Sequence, residues 1–262
     1  MKCNDYDDKL SEAALFAGRV ILSSGGETFR AEDTICRILQ AGGAQNIEVN
    51  AISTFINVTY TSTTGEIITL TKRIVKRGIH MGNIKEANEI SRLFCAGSIS
   101  LDEACARLHQ IPNRKGYPAW LVFVCAVFTP AAFTVLLGGN GLDCVVAAMN
   151  GVLLAGFTLL NKRLHMPAAV GNCVMGFLIA FASTGVAALM RMHLNSDVLI
   201  PGSIMALLPG VTLTNGVHDM LNEDFMSGGA RLIEAIVTAT TLAVGIGFGL
   251  GCAQMLFVGV LA

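Results

Sequence analysis

The sequence predicts an α-helical membrane protein, with about five transmembrane helices preceded by a small α+β cytoplasmic domain. Three observations predict it. Of the 262 residues 53% are hydrophobic and only 14% are charged, against about 25% charged in ordinary soluble domains. The charges are also unevenly placed. Beyond Pro118 the only basic residues are Lys162, Arg163, Arg191 and Arg231, and the only acidic ones are Asp143, Asp197, Asp219, Glu223, Asp224 and Glu234. Finally, the same region holds five apolar stretches, each close to the roughly 20 residues that cross a bilayer. A soluble protein of this length that buried all five would have no surface left.

The polar domain is expected over residues 1–116. Apolar residues recur at helical spacing from Leu10 to Leu22, until Ser23, Ser24, Gly25 and Gly26 stop the helix. A second helix follows over about Thr28–Leu39 and ends at Gly42 and Gly43. The period then changes. Ile47–Ser53, Phe55–Tyr60 and Ile67–Ile74 are β-branched and partly alternating, with a hairpin turn at Thr64 and Gly65. Helical spacing returns over Ile84–Cys95. Ser100 followed by Glu103 forms a capping-box pattern for a helix reaching about Gln110. The order is α-α-β-β-β-α-α, and Pro112 to Pro118 reads as a linker.

The membrane domain is expected over residues 117–262, with spans near 119–137, 144–160, 167–190, 198–217 and 235–262. Basic residues favour the cytoplasmic side. Arg114 and Lys115 precede the first span, Lys162 and Arg163 lie in the second loop, and Arg231 lies in the fourth. Arg191 in the third loop runs against the pattern. The best fit puts the N-terminus in the cytoplasm and the C-terminus outside. The start of the chain, acidic and polar, does not read as a cleavable signal peptide.

Several function classes find no support. The net charge is −1 and the pI about 6.5, so no nucleic-acid partner is expected. The eight cysteines are scattered without a CxxC pair and read as small buried residues of a reducing compartment. No nucleophile–base pair, phosphate-binding loop or metal-ligand spacing occurs, so no catalytic residue, cofactor or metal is expected.

The candidate pathway residues lie in the second and fourth spans. Pro201-Gly202 and Pro209-Gly210 should each open the fourth helix, because proline lacks an N–H and clashes with the preceding turn. Freed backbone groups at membrane depth are tolerated where they line a wet cavity, and interrupted helices hold solutes or ions in transporters. A plain kink fits the same residues. Asn215, His218 and Asp219 follow, with Asn215 sharing a helix face with each of the other two. They suit either proton handling or solvated cap positions. Asp143 and Asn150, seven apart on the second span, face the same way. Asp143 fits a pathway carboxylate or an N-cap. In the last span Gly245, Gly247, Gly249 and Gly251 make two overlapping GxxxG pairs. These suit packing within the chain or against another membrane subunit. In the polar domain Glu27, Arg30, Glu32 and Asp33 concentrate charge at a helix start.

With these residues in view, the chain resembles the threonine/serine exporter family over nearly its whole length. The run Ser24 to Thr34 is similar to the family pattern SGAETYRVEDT, with Gly26 in place of Ala and Phe29 in place of Tyr. Further agreement lies at Arg73, at Asn88 to Arg92, at Gly138 to Asp143, at Ile200 to Gly210 and at Ser227 to Arg231. The resemblance implies a proton-gradient-driven secondary exporter in the inner membrane that moves small polar metabolites such as threonine and serine. Long members look like two fused membrane halves. This chain is similar to the split members, some associated with succinate export, which work with a second small membrane subunit. A hetero- or homo-oligomer in the lipid bilayer is therefore expected, with a small-molecule substrate. The other reading of the residues is a membrane-anchored hydrolase or sensor whose helices only anchor and oligomerise.

Overall fold

A computed structural model describes residues 5–75, 78–113, 116–190 and 194–261. The chain divides into two compact units: Met1–Lys115 with Val211–Ile233, and Gly116–Gly210 with Glu234–Ala262. The sequence boundary at 116/117 assigns Val211–Ile233 to the membrane block. It groups instead with the polar domain.

In the first unit, helices α1 (Asp5–Ser23) and α2 (Thr28–Ala41) lead into strands β1 (Gln45–Ile52), β2 (Phe55–Thr61) and β3 (Ile67–Arg73), followed by α3 (Met81–Cys95) and α4 (Leu101–Gln110). The sheet is antiparallel in the order β1-β2-β3, with Val49 opposite Val58 and Tyr60 opposite Ile68. Alternation along β2 sends Ile56, Val58 and Tyr60 into the core, where they meet Leu10, Ala14, Ala17 and Ile21 of α1. The opposite face is polar, and the Thr59 and Thr69 hydroxyls lie 3.0 Å apart across it. The period-2 pattern thus decides which face the helices cover. Gly65 takes a positive φ of 85° in the β2–β3 turn, the conformation that favours glycine there. Ser100 caps α4 by accepting from the Glu103 N–H at 3.2 Å. The Glu103 carboxylate turns instead to Arg107, at 2.6 Å, so only half of the expected capping box forms.

In the second unit, α5 (Ala119–Leu136), α6 (Gly141–Leu164) and α7 (Ala168–Met190) are long apolar helices. With α10 (Phe225–Leu261) they make, among the described residues, four helices long and apolar enough to cross a membrane, or five if a bent pair counts as one span. That pair is α8 (Ser196–Ile204), extended by a short 3-10 turn to Leu207, and α9 (Gly210–Leu221), set at 64° to each other. Only one of the two Pro-Gly pairs breaks the helix. Pro201 lies inside α8, whereas Leu208 is extended, with φ −67° and ψ 138°. Proline disfavours the helical region for the residue before it, which accounts for the break at Leu208–Pro209. Gly202 remains helical and lets α8 approach α5 so closely that a Cβ there would strike Thr134.

Helix α10 begins ten residues before the expected fifth span, so Arg231 is a helix residue and not a loop charge. The Asp224 carboxylate accepts from the Ser227 N–H at 3.1 Å and starts the helix. Its 37 residues give a rod about 55 Å long. The glycines of α10 divide by face. A Cβ on Gly245 or Gly249 would collide with the α7 backbone at Cys173 or Phe177, whereas nothing lies within 4 Å of one on Gly247 or Gly251. Arg114, Lys115 and Arg191, used in the orientation count, lie outside the described residues.

Candidate functional site

The first unit is tied together by the segment that links α1 to α2. After α1 ends, Gly25 takes a φ of 83° and turns the chain, and the carbonyls of Gly25 and Gly26 each accept from a remote side chain. The Asn215 amide donates to Gly25 O at 2.8 Å, and Arg231 Nη2 donates to Gly26 O at 2.6 Å. The Thr28 hydroxyl donates to Asp219 Oδ1 at 2.9 Å, and the Thr28 N–H lies 3.4 Å from the same oxygen. Arg231 Nε is 3.1 Å from Asp219 Oδ2, the two side chains being 8% and 0% exposed. Oδ2 accepts no aligned hydrogen bond, so this contact is a charge pair rather than a directed bond. His218 Nδ1 lies 3.8 Å from a Glu27 carboxylate oxygen.

One face of α9 thus holds Asn215, His218 and Asp219, as their spacing predicts. They meet the 25–28 segment and Arg231 of α10. These bonds are why Val211–Ile233 groups with the polar domain. A buried ion pair gains little net stability against apolar packing, but it is costly to break from one side. The arrangement therefore specifies one docking geometry for the α9–α10 hairpin more than it adds raw stability.

The five remaining polar-domain candidates lie away from this cluster. Glu32 accepts from the Ala51 N–H at 2.7 Å. Burial pushes its carboxyl above its ordinary value of 4.5, and the Ala51 bond pulls it part of the way back. Arg30 is exposed and forms no ion pair among the described residues. Asn88 Oδ1 accepts from Thr34 at 3.5 Å, and Arg92 Nε donates to Asn88 O at 3.3 Å. Arg73 closes β3 and borders a cavity of the polar domain.

The second unit has its own polar cluster. Asn150, near the middle of α6 and 2% exposed, donates from Nδ2 to Ser183 Oγ of α7 and to Ser203 Oγ of α8, both at 2.9 Å. Both serines are buried, and as acceptors each keeps an O–H to donate. Three helices thus meet at uncharged groups that can trade hydrogen bonds with a polar guest. Leu154 and Ile179 pack nearby with Ile204 and Leu207, just before the Pro209 break. Asp143 is used differently. Its Oδ2 accepts from the Asn140 N–H at 2.9 Å, and the Asn140 side chain accepts from the Asp143 N–H at 2.9 Å. Its Oδ1 accepts from the Asn195 N–H at 3.0 Å. The residue completes a capping box and ties α6 to the start of α8.

Sequence reasoning named Asn150 and Asp219 but not their partners. Ser183 and Ser203 carry a weak signal, as lone hydroxyls in apolar spans. Arg231 carried the wrong one: with the fifth span expected from residue 235, it fell in the fourth loop, whereas α10 begins at Phe225.

Long apolar helices, a broken span and an internal uncharged polar cluster define a multi-pass membrane protein of transporter type. The chain belongs to the family described as "Putative threonine/serine exporter", whose model matches residues 12–252. It is similar to the "Probable threonine/serine exporter" of Mycobacterium tuberculosis, 26% identical over 240 residues, covering 91% of this chain and 45% of that protein. It is 26% identical over 234 residues to the "Probable succinate transporter subunit YjjP" of Escherichia coli, covering 88% of each. The "Threonine/serine exporter" of Corynebacterium glutamicum is 22% identical over 251 residues, covering 92% of this chain and 50% of that protein. The chain thus spans about half the length of the two named threonine/serine exporters. No solved structure matches it. These relatives are named as exporters and transporters, not enzymes.

Proposed function

We propose that the chain is one subunit of a secondary exporter that moves small polar metabolites across the cytoplasmic (inner) membrane, working with a second small membrane subunit. The observation that carries this reading is the Asn150–Ser183–Ser203 cluster. Buried hydrogen-bonding groups in apolar helices are costly unless satisfied. Placing three of them on α6, α7 and α8, with α8 leading into a broken segment, suits a site that exchanges internal bonds for bonds to a solute. A mere anchor has no use for such a cluster.

The substrate class in this reading is a threonine- or serine-type amino acid or a dicarboxylate such as succinate, following the names of the relatives. The second subunit follows the word "subunit" in the name of the Escherichia coli relative, which this chain covers nearly end to end. Transport draws on the proton gradient, with the N-terminus in the cytoplasm and the C-terminus outside. Of the two carboxylates suited to carry the proton, Asp219 is the better candidate. Both oxygens of Asp143 are occupied by backbone N–H groups, whereas Asp219 Oδ2 faces only the Arg231 charge.

The test is reconstitution into liposomes of this chain, the second membrane subunit, and both together, with labelled threonine and succinate under an imposed proton gradient. One solute should move only with both subunits present, and Asn150→Ala should abolish the movement while both proteins stay folded. Movement by this chain alone at the rate of the pair would overturn the two-subunit reading. Undiminished movement with Asn150→Ala would overturn the site.

A further inference from the structure

The polar domain contains a cavity of about 590 Å³, bordered by the C-terminal half of α1, by Arg73, Ile74 and Val75 at the end of β3, and by Gly78 and His80. Backbone bonds hold its floor: the Gly78 N–H donates to Ser23 O at 2.9 Å and the His80 N–H to Ser24 O at 3.0 Å. The volume lies within the roughly 300–1,000 Å³ of small-molecule pockets.

Its chemistry is one-sided. Among the described residues Arg19, Arg73 and His80 line it, as do Ser24 and Asn83, and no aspartate or glutamate does. Neither Arg19 nor Arg73 has a carboxylate partner among the described residues. Arg19 lies over the Phe16 ring, 5.8 Å from its centroid, and the same ring stacks on His109 at 4.3 Å. Ser24 is buried as a residue and lines the cavity, so its hydroxyl is placed to donate to a ligand atom there. Helix α3 starts beside this wall, with His80 at its N-cap and no side-chain cap.

We infer that this cavity binds a small metabolite bearing two negative charges on oxygen, as a dicarboxylate or a phosphate. The two guanidinium forks hold the oxyanions, Ser24 and Asn83 donate to them, and Phe16 covers the carbon skeleton. Guanidinium suits this because its planar donors match carboxylate and phosphate oxygens in pairs. The site lies in the polar domain and is independent of the transport reading.

The test is equilibrium binding of succinate and of inorganic phosphate to the full chain purified in mild detergent, with choline as a cationic control. One of the two anions should bind saturably, and its identity assigns the carboxylate or the phosphate source. Affinity should fall about tenfold or more in each of Arg19→Gln and Arg73→Gln, the loss of one charged hydrogen bond. Arg73→Lys, which keeps the charge and drops the fork, should fall between. Asn150→Ala should leave this binding intact, which separates the site from the transport cluster. Both arginines are exposed, so the variants should elute as the parent does. Absence of saturable binding by both anions, or unchanged binding in an Arg19→Gln/Arg73→Gln double variant, would overturn the inference.

Discussion

Replacing Arg231 by Met would leave the Asp219 carboxylate fully buried without a counter-charge and strip the Gly26 carbonyl of its 2.6 Å donor. Removing one partner of a buried pair costs about 3–5 kcal/mol, whereas replacing both by apolar groups is often neutral. Asp219→Leu alone should cost a similar amount, because it strands the guanidinium and also frees the Thr28 hydroxyl. The Asp219→Leu/Arg231→Met double variant should recover most of the loss, giving a coupling energy of roughly 2–3 kcal/mol or more. Equilibrium unfolding in mild detergent measures the stability. Hydrogen exchange over residues 24–30 reports whether the linking segment opens, and it should exchange faster in both single variants. Costs below about 1 kcal/mol, the value of an exposed pair, or strict additivity in the double variant would refute the view that this pair fixes the docking of α9 and α10.

Other perturbations separate further claims. Pro209→Ala should straighten the bent pair and slow transport, while Pro201→Ala should leave the bend in place because Pro201 is already helical; spin-label distances across Leu208 distinguish the two. Glu32→Gln keeps an acceptor for the Ala51 N–H but removes titration. Because the folded carboxyl sits above its ordinary 4.5, the folded state binds more protons than the unfolded one, and wild-type stability falls as pH rises through that window. The Gln variant should therefore gain on wild type as pH rises, and a constant difference from pH 4 to pH 7, a window set about that value, would refute the assignment. Gly249→Leu should destabilise the chain through collision with α7, whereas Gly247→Leu should fold normally and weaken association with the second subunit. Equal effects of the two would show that the faces do not divide as the contacts indicate.

Much of the fold was legible because it is locally encoded. The period-2 run of Ile56, Val58 and Tyr60 fixed a strand and its inward face. The glycines after Ser24 and after Ala41 fixed helix ends. Pro209 fixed a break through its effect on Leu208. Pro201 shows the limit of the same rule, since the helix continues through it, with Gly202 beside it packed closely on Thr134 of α5. The site was less legible because its partners are remote in the chain. Thr28 and Asp219 are 191 positions apart, and Gly26 and Arg231 are 205 apart. No periodicity links such residues. The spacing of Asn215, His218 and Asp219 gave the shared face of α9, but not what that face would meet.

The Asn150 cluster bears on energetics of a different kind. An elementary charge moved across the membrane potential exchanges about 2.3 kcal/mol per 100 mV, so a charged site that shifts during a transport cycle makes the cycle itself voltage-sensitive. Asn150, Ser183 and Ser203 bring no charge to rearrange. Voltage therefore does no direct work on these three side chains as they exchange partners. Any current they accompany is carried by the solute, by the coupling ion or by ionised groups elsewhere, and in this reading the sign of that current under a clamped potential reports the charge of the cargo together with its ion.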